Sequence, residues 1–107
     1  MTILSEMIVE VDRLNTEKGW RDRDTSFAEY IALAHSELSE ALDAYRERKF
    51  EKHTSGGKPD DVASEMADVL IRVLDMCARF RIDLEAAYDR KMAYNWTRPY
   101  LHGGRVL

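Results

Sequence analysis

One cysteine, two prolines and five glycines are all that the 107 residues contain of these types. The lone Cys77 excludes an intramolecular disulfide. Its neighbours Leu74, Ala78 and Phe80 mark it as a small core residue, whereas a reactive thiol needs an exposed, electropositive setting. Scarce proline and glycine leave room for long uninterrupted helices. There is no long run of basic residues and the net charge is -4, which argues against a nucleic acid polymer as partner. No stretch approaches the roughly 20 apolar residues of a membrane span. The N-terminus carries Glu6, Glu10 and Asp12 where a signal sequence would be apolar. Strand-like alternation of useful length is missing too. These absences predict an all-α, cytoplasmic protein with no membrane partner.

Hydrophobic residues make up 45% of the chain and charged residues 34%, a globular balance. The length suits a single domain, residues 1–107. A chain of this size buries only about two-thirds of its unfolded surface, so partner subunits would extend the core.

Apolar spacing divides the chain into four helices. Ile3, Met7, Val11 and Leu14 place the first from about Thr2 to Lys18, with Gly19 as its stop. Trp20–Thr25 forms a polar loop. Ser26 opens the second helix, with Glu29 completing a capping box. Its stripe of Phe27, Tyr30, Ile31, Ala34, Leu38, Ala41, Leu42 and Tyr45 runs to about Lys49. A flexible loop from Phe50 to Lys58 contains Gly56-Gly57. Pro59 begins the third helix, helped by Asp60 and Asp61, and that helix ends near Phe80. Asp83 caps a fourth, ending near Tyr94, and residues 95–107 form an extended tail. Short links imply an antiparallel four-helix bundle, completed by oligomerisation.

Two carboxylate pairs stand out. Glu37 and Glu40 share one flank of the second helix, beside Leu33 and Ala44, and Glu65 and Asp68 share a face of the third. The third helix is so broadly apolar that it should be packed on most sides, and its narrow polar strip (Asp61, Ser64, Glu65, Asp68, Arg72, Asp75, Arg79) should line a cleft. Four converging carboxylates need a counter-charge, and hard cations such as Mg²⁺ take oxygen ligands of this kind. The plainer alternative is a solvated face, with Asp68–Arg72 and Asp75–Arg79 as i,i+4 pairs.

Ser36–Leu42 (SELSEAL) followed by Ser64–Leu70 (SEMADVL) resembles the MazG-like, all-α nucleoside triphosphate pyrophosphohydrolases, whose signature is Glu-x-x-Glu, a spacer, then Glu-x-x-Asp. The tail Lys91–Arg105 (KMAYNWTRPYLHGGR) is similar to that of phage and bacterial members, and the likeness spans roughly residues 20–105. It implies hydrolysis of a (deoxy)nucleoside triphosphate to the monophosphate and pyrophosphate, in a bacterial or phage-infected cytoplasm. Glu37, Glu40, Glu65 and Asp68 would be catalytic and would hold Mg²⁺, with Mn²⁺ as a substitute, while water attacks the α-phosphorus. Lys91, Asn95, Arg98 and Arg105 would meet the substrate, and Trp20 would stand beside the base. Subunits would form a dimer or tetramer with sites near the contacts. Trp20 also reads as a cover for the bundle end, and Arg98, His102 and Arg105 as a solvated tail or subunit contact. His35 reads as structural or exposed, and Trp96 as packing. Competing functions are a nucleotide-binding regulatory module without turnover, and a helical interaction domain.

Overall fold

The computed structural model describes residues 3–101. Four helices, α1 (Leu4–Glu17), α2 (Phe27–Arg48), α3 (Val62–Arg79) and α4 (Leu84–Thr97), account for most of it. A short hairpin of two-residue strands, β1 (Thr54–Ser55) and β2 (Lys58–Pro59), lies between α2 and α3. The class is all-α. α2 and α3 share the principal interface, α1 packs on α3, and α4 packs chiefly on α1.

The boundaries follow local chemistry. Gly19 adopts φ +84°, open to glycine without penalty, and turns the chain out of α1. The predicted loop after it contains a single 3-10 turn, Trp20–Asp22. Ser26 caps α2 by accepting the Glu29 N–H at 3.2 Å, and its hydroxyl donates to Glu29 Oε1 at 3.2 Å. Asp83 caps α4 through the Ala86 N–H.

Two predicted boundaries are corrected around α3 and one at α4. The segment expected to be a flexible loop is a hairpin, because Gly56 and Gly57 both take positive φ, as a tight two-residue turn requires. Pro59 therefore pairs with Thr54 instead of opening α3. Asp61 is the N-cap: its Oδ1 accepts the Ser64 N–H at 2.9 Å and the Ser64 hydroxyl at 2.7 Å, and its Oδ2 accepts the His53 N–H at 3.1 Å. α4 continues to Thr97, so Asn95 and Trp96 are helical rather than the start of an extended tail. Pro99 supplies the stop, holding Arg98 extended at φ -73°, ψ 146°.

The bonds to Asp61, those from Ser64 first, hold its carboxyl down at about 2, against an ordinary 3.8. A depressed carboxylate stabilises the fold above its ordinary value and loses that contribution as pH falls towards the folded value. Asp61→Asn, which can still cap, should therefore flatten the fall in melting temperature between pH 4 and pH 2. An unchanged acid limb in a pH series of thermal melts would refute the assignment.

The core is small. Tyr30, Ala34 and Met76 form its centre, with Val73 against them. Phe80 meets Phe27 and Tyr30 edge-on, at centroid distances of 5.4 and 5.9 Å. Leu74 is 1% exposed, and Cys77 is buried as expected. Much of the predicted α2 stripe remains half-exposed, including Ile31, Leu38 and Leu42, as do Met66, Leu70 and Ile71 of α3. The expectation that α3 is packed on most sides thus fails within one chain. α4 buries none of its side chains and leaves Trp96 83% exposed rather than packed.

Candidate metal centre and its cleft

The antiparallel approach of α2 and α3 brings their acidic pairs together. Carboxylate oxygens of Glu37, Glu65 and Asp68 lie within 4.8 Å of one another. Glu37 and Glu65 are buried, while Asp68 is half-buried. Glu40 is exposed but stands beside both Glu37 and Glu65. Burial pushes the Glu37 carboxyl above its ordinary value, Glu40 pushes it further, and Arg72 opposes them. Burial likewise raises Glu65, reinforced by Asp68 and Glu37 and opposed by Glu40 and Lys58.

Among the described residues, Glu65 Oε2 is buried without a hydrogen-bond partner. Such an orphaned acceptor is costly. An all-oxygen set with an unpartnered buried member suits a hard divalent cation, for which these residues supply both charge and donors.

The solvated-face alternative for the neighbouring charges does not hold. Arg72 turns from Asp68 to Glu37, with Nε and Nη2 each 3.3 Å from Oε1. Asp75 turns from Arg79 and pairs with Arg21, Nη1 lying 2.7 Å from Oδ1. That contact is held by charge more than by an aligned hydrogen bond, since Oδ1 has no donor in line among the described residues. Arg79 donates instead to the Tyr30 hydroxyl and to the Arg23 carbonyl.

A cleft of about 580 Å³ runs along these helices. Glu37, Asp68, Arg72 and Lys58 line one part of it; Trp20, Arg23, Asn15, Tyr30 and Asp75 line another. From Tyr30 to Glu37 is seven residues of helix, roughly 10 Å at the helical rise. Trp20 is 54% exposed and lines this cleft rather than covering the end of the helices, and the Arg23 guanidinium lies 4.8 Å from its ring centroid.

The structure therefore places Trp20, Glu37 and Asp68 in one cleft, with Glu65 beside Glu37 and Asp68 and with Glu40 and Glu65 lining the neighbouring depression. It does not bring Lys91, Asn95 or Arg98 there: Lys91 and Asn95 are exposed on α4, and Arg98 lies over Tyr94 at 5.9 Å. Arg105 and His102 lie outside the described residues. His35 is exposed. Sequence reasoning missed Lys58 and Arg23 in the cleft. Lys58 sits beside Gly56-Gly57, and only the hairpin fold reveals which way that lysine is carried.

The assembly defines a class: a helical domain with a buried carboxylate centre opening into a cleft that has an aromatic wall. Comparison with protein-family models, curated proteins and solved structures finds no match. No helix among the described residues is long and apolar enough to cross a membrane.

Proposed function

We propose that the chain is a Mg²⁺-dependent pyrophosphohydrolase that cleaves a (deoxy)nucleoside triphosphate to the monophosphate and pyrophosphate. The observation that carries this reading is the convergence of Glu37, Glu65 and Asp68 within 4.8 Å, with Glu40 alongside. These four residues would hold the cation, which when bound supplies charge neutralisation at the phosphates. The chain's own groups do the rest. Lys58 and Arg72 offer positive charge beside the carboxylates, where a polyphosphate would lie. Arg72 fixes the orientation of Glu37, and burial raises that carboxyl's affinity for a proton, as a water-orienting base needs. Trp20 offers a face for base stacking at the other part of the cleft.

The half-exposed apolar stripe supports assembly of identical subunits, as does the small core. In such an assembly Lys91 and Asn95 would meet a nucleotide only across a subunit contact.

Purified protein should release pyrophosphate from at least one member of a panel of ribo- and deoxyribonucleoside triphosphates with Mg²⁺. Glu40→Gln should remove turnover and leave helicity unchanged. The enzyme reading fails if no nucleotide is hydrolysed with Mg²⁺ or Mn²⁺. Cation-dependent nucleotide binding without turnover would favour the regulatory module instead.

A further inference from the structure

Three acids are buried among the described residues: Glu37, Glu65 and Asp75. The first two belong to the carboxylate centre. Asp75 lies seven residues beyond Asp68, and its partner is Arg21. Arg21 also grips α1, donating from Nε and Nη2 to Asp12 Oδ1 at 3.0 and 2.6 Å. Its Nη1 reaches the Tyr30 hydroxyl at 3.4 Å. One guanidinium thus ties the Trp20–Asp22 turn to α1, α2 and α3 together. Arg79 adds a second hold by donating to the Arg23 carbonyl.

A surface turn does not need so much for its own stability. Exposed ion pairs contribute little, and burying Asp75 with Arg21 carries a desolvation cost that must be recovered by geometry. What the turn presents is Trp20 and Arg23, both in the cleft wall. The clamp therefore sets where an aromatic and a cation stand relative to the carboxylates.

We infer that Arg21, clamped between Asp12 and Asp75, is a positioning residue that fixes the Trp20–Arg23 platform at a set distance from the carboxylate centre and so selects ligands that carry a base beyond their phosphates. The inference rests on the triphosphate reading for its ligand class. Its structural half, the holding of the platform, stands on the ion network. A clamp that merely fastened α1 to α3 would act on the whole fold instead.

The two roles separate in the full chain carrying Trp96→Phe, which leaves Trp20 as the only tryptophan. Arg21→Met and Arg21→Lys are compared with that parent. Arg21→Met should red-shift Trp20 emission, increase its quenching by acrylamide and raise the KM for a nucleoside triphosphate about tenfold or more, the scale of losing one stacked base. The kcat should stay within about threefold, because the groups that stabilise the transition state are untouched. Mn²⁺ affinity and inhibition by inorganic triphosphate, which has no base, should be unchanged. Arg21→Lys should restore part of the KM. Unmoved Trp20 emission and KM would overturn the inference; so would a joint fall in helicity, Mn²⁺ affinity and kcat. If the parent neither binds nor hydrolyses any nucleotide, the pyrophosphohydrolase reading falls by itself, and Trp20 emission and quenching still decide whether Arg21 holds the platform.

Discussion

Glu65→Gln is expected to abolish cation-dependent hydrolysis and, with a chelator present at pH 7, to raise the melting temperature. Loss of a ligand worth several kcal/mol at the transition state corresponds to a fall in turnover of about 10³-fold. The rise in stability follows from electrostatics. Glu65 is 6% exposed, and burial together with Asp68 and Glu37 holds its carboxyl above its ordinary value. A group whose folded pKa is raised contributes fully below its unfolded value and loses that contribution as pH rises through the folded value. At pH 7, well above the ordinary carboxyl value, Glu65 is therefore a burden on the fold, and glutamine removes it. For a domain of this size, each kcal/mol of relief raises the melting temperature by roughly 4 °C or more. The gain should shrink towards pH 4, where the native carboxyl is itself neutral, and it should reverse in excess Mg²⁺, which stabilises only the parent. A chelated variant that melts below the parent at pH 7 would show that Glu65 is structural rather than a strained ligand.

If identical subunits assemble through the half-exposed α2 stripe, as proposed, Leu38→Asp combined with Leu42→Asp should yield monomers without loss of helix. Both leucines are 49% exposed on α2, so a single chain loses little by their replacement. In a subunit contact each would be buried, and burial of a leucine contributes about 1.5 kcal/mol or more. Together they should weaken association by over 100-fold, before the added cost of placing two carboxylates in an apolar interface. Light scattering and circular dichroism at micromolar concentration read the two effects. A parent protein that is already monomeric there removes the premise.

The contrast between these residues explains what the sequence could and could not reveal. Helical spacing placed Glu37 with Glu40, and Glu65 with Asp68, because a shared face is a property of one helix. Ser26 and Asp83 were legible as caps for the same local reason. The plainer alternative pairs Arg72 with Asp68 and Asp75 with Arg79, since i,i+4 neighbours are the nearest charges on an isolated helix. Packing offered better ones, Glu37 across α2 and Arg21 from the preceding turn. Which charge wins depends on interhelical register, and no single-helix pattern encodes it. The hairpin was missed because strands of two residues are too short to show alternation, although Gly56-Gly57 marked the turn itself. Lys91 and Asn95 share a face of α4, but nothing in that spacing fixes where α4 docks.

α4 also divides the molecule by local stability. Its docking to α1 includes one exposed side-chain hydrogen bond, from the Ser5 hydroxyl to Glu85, and it buries none of its own side chains. α2 and α3, joined by a latched hairpin, hold the buried centre between them. Opening α4 thus costs a small fraction of the global unfolding free energy, whereas parting α2 from α3 costs nearly all of it. Amide hydrogen exchange should therefore report the opening of α4 before that of the helices that carry the carboxylates.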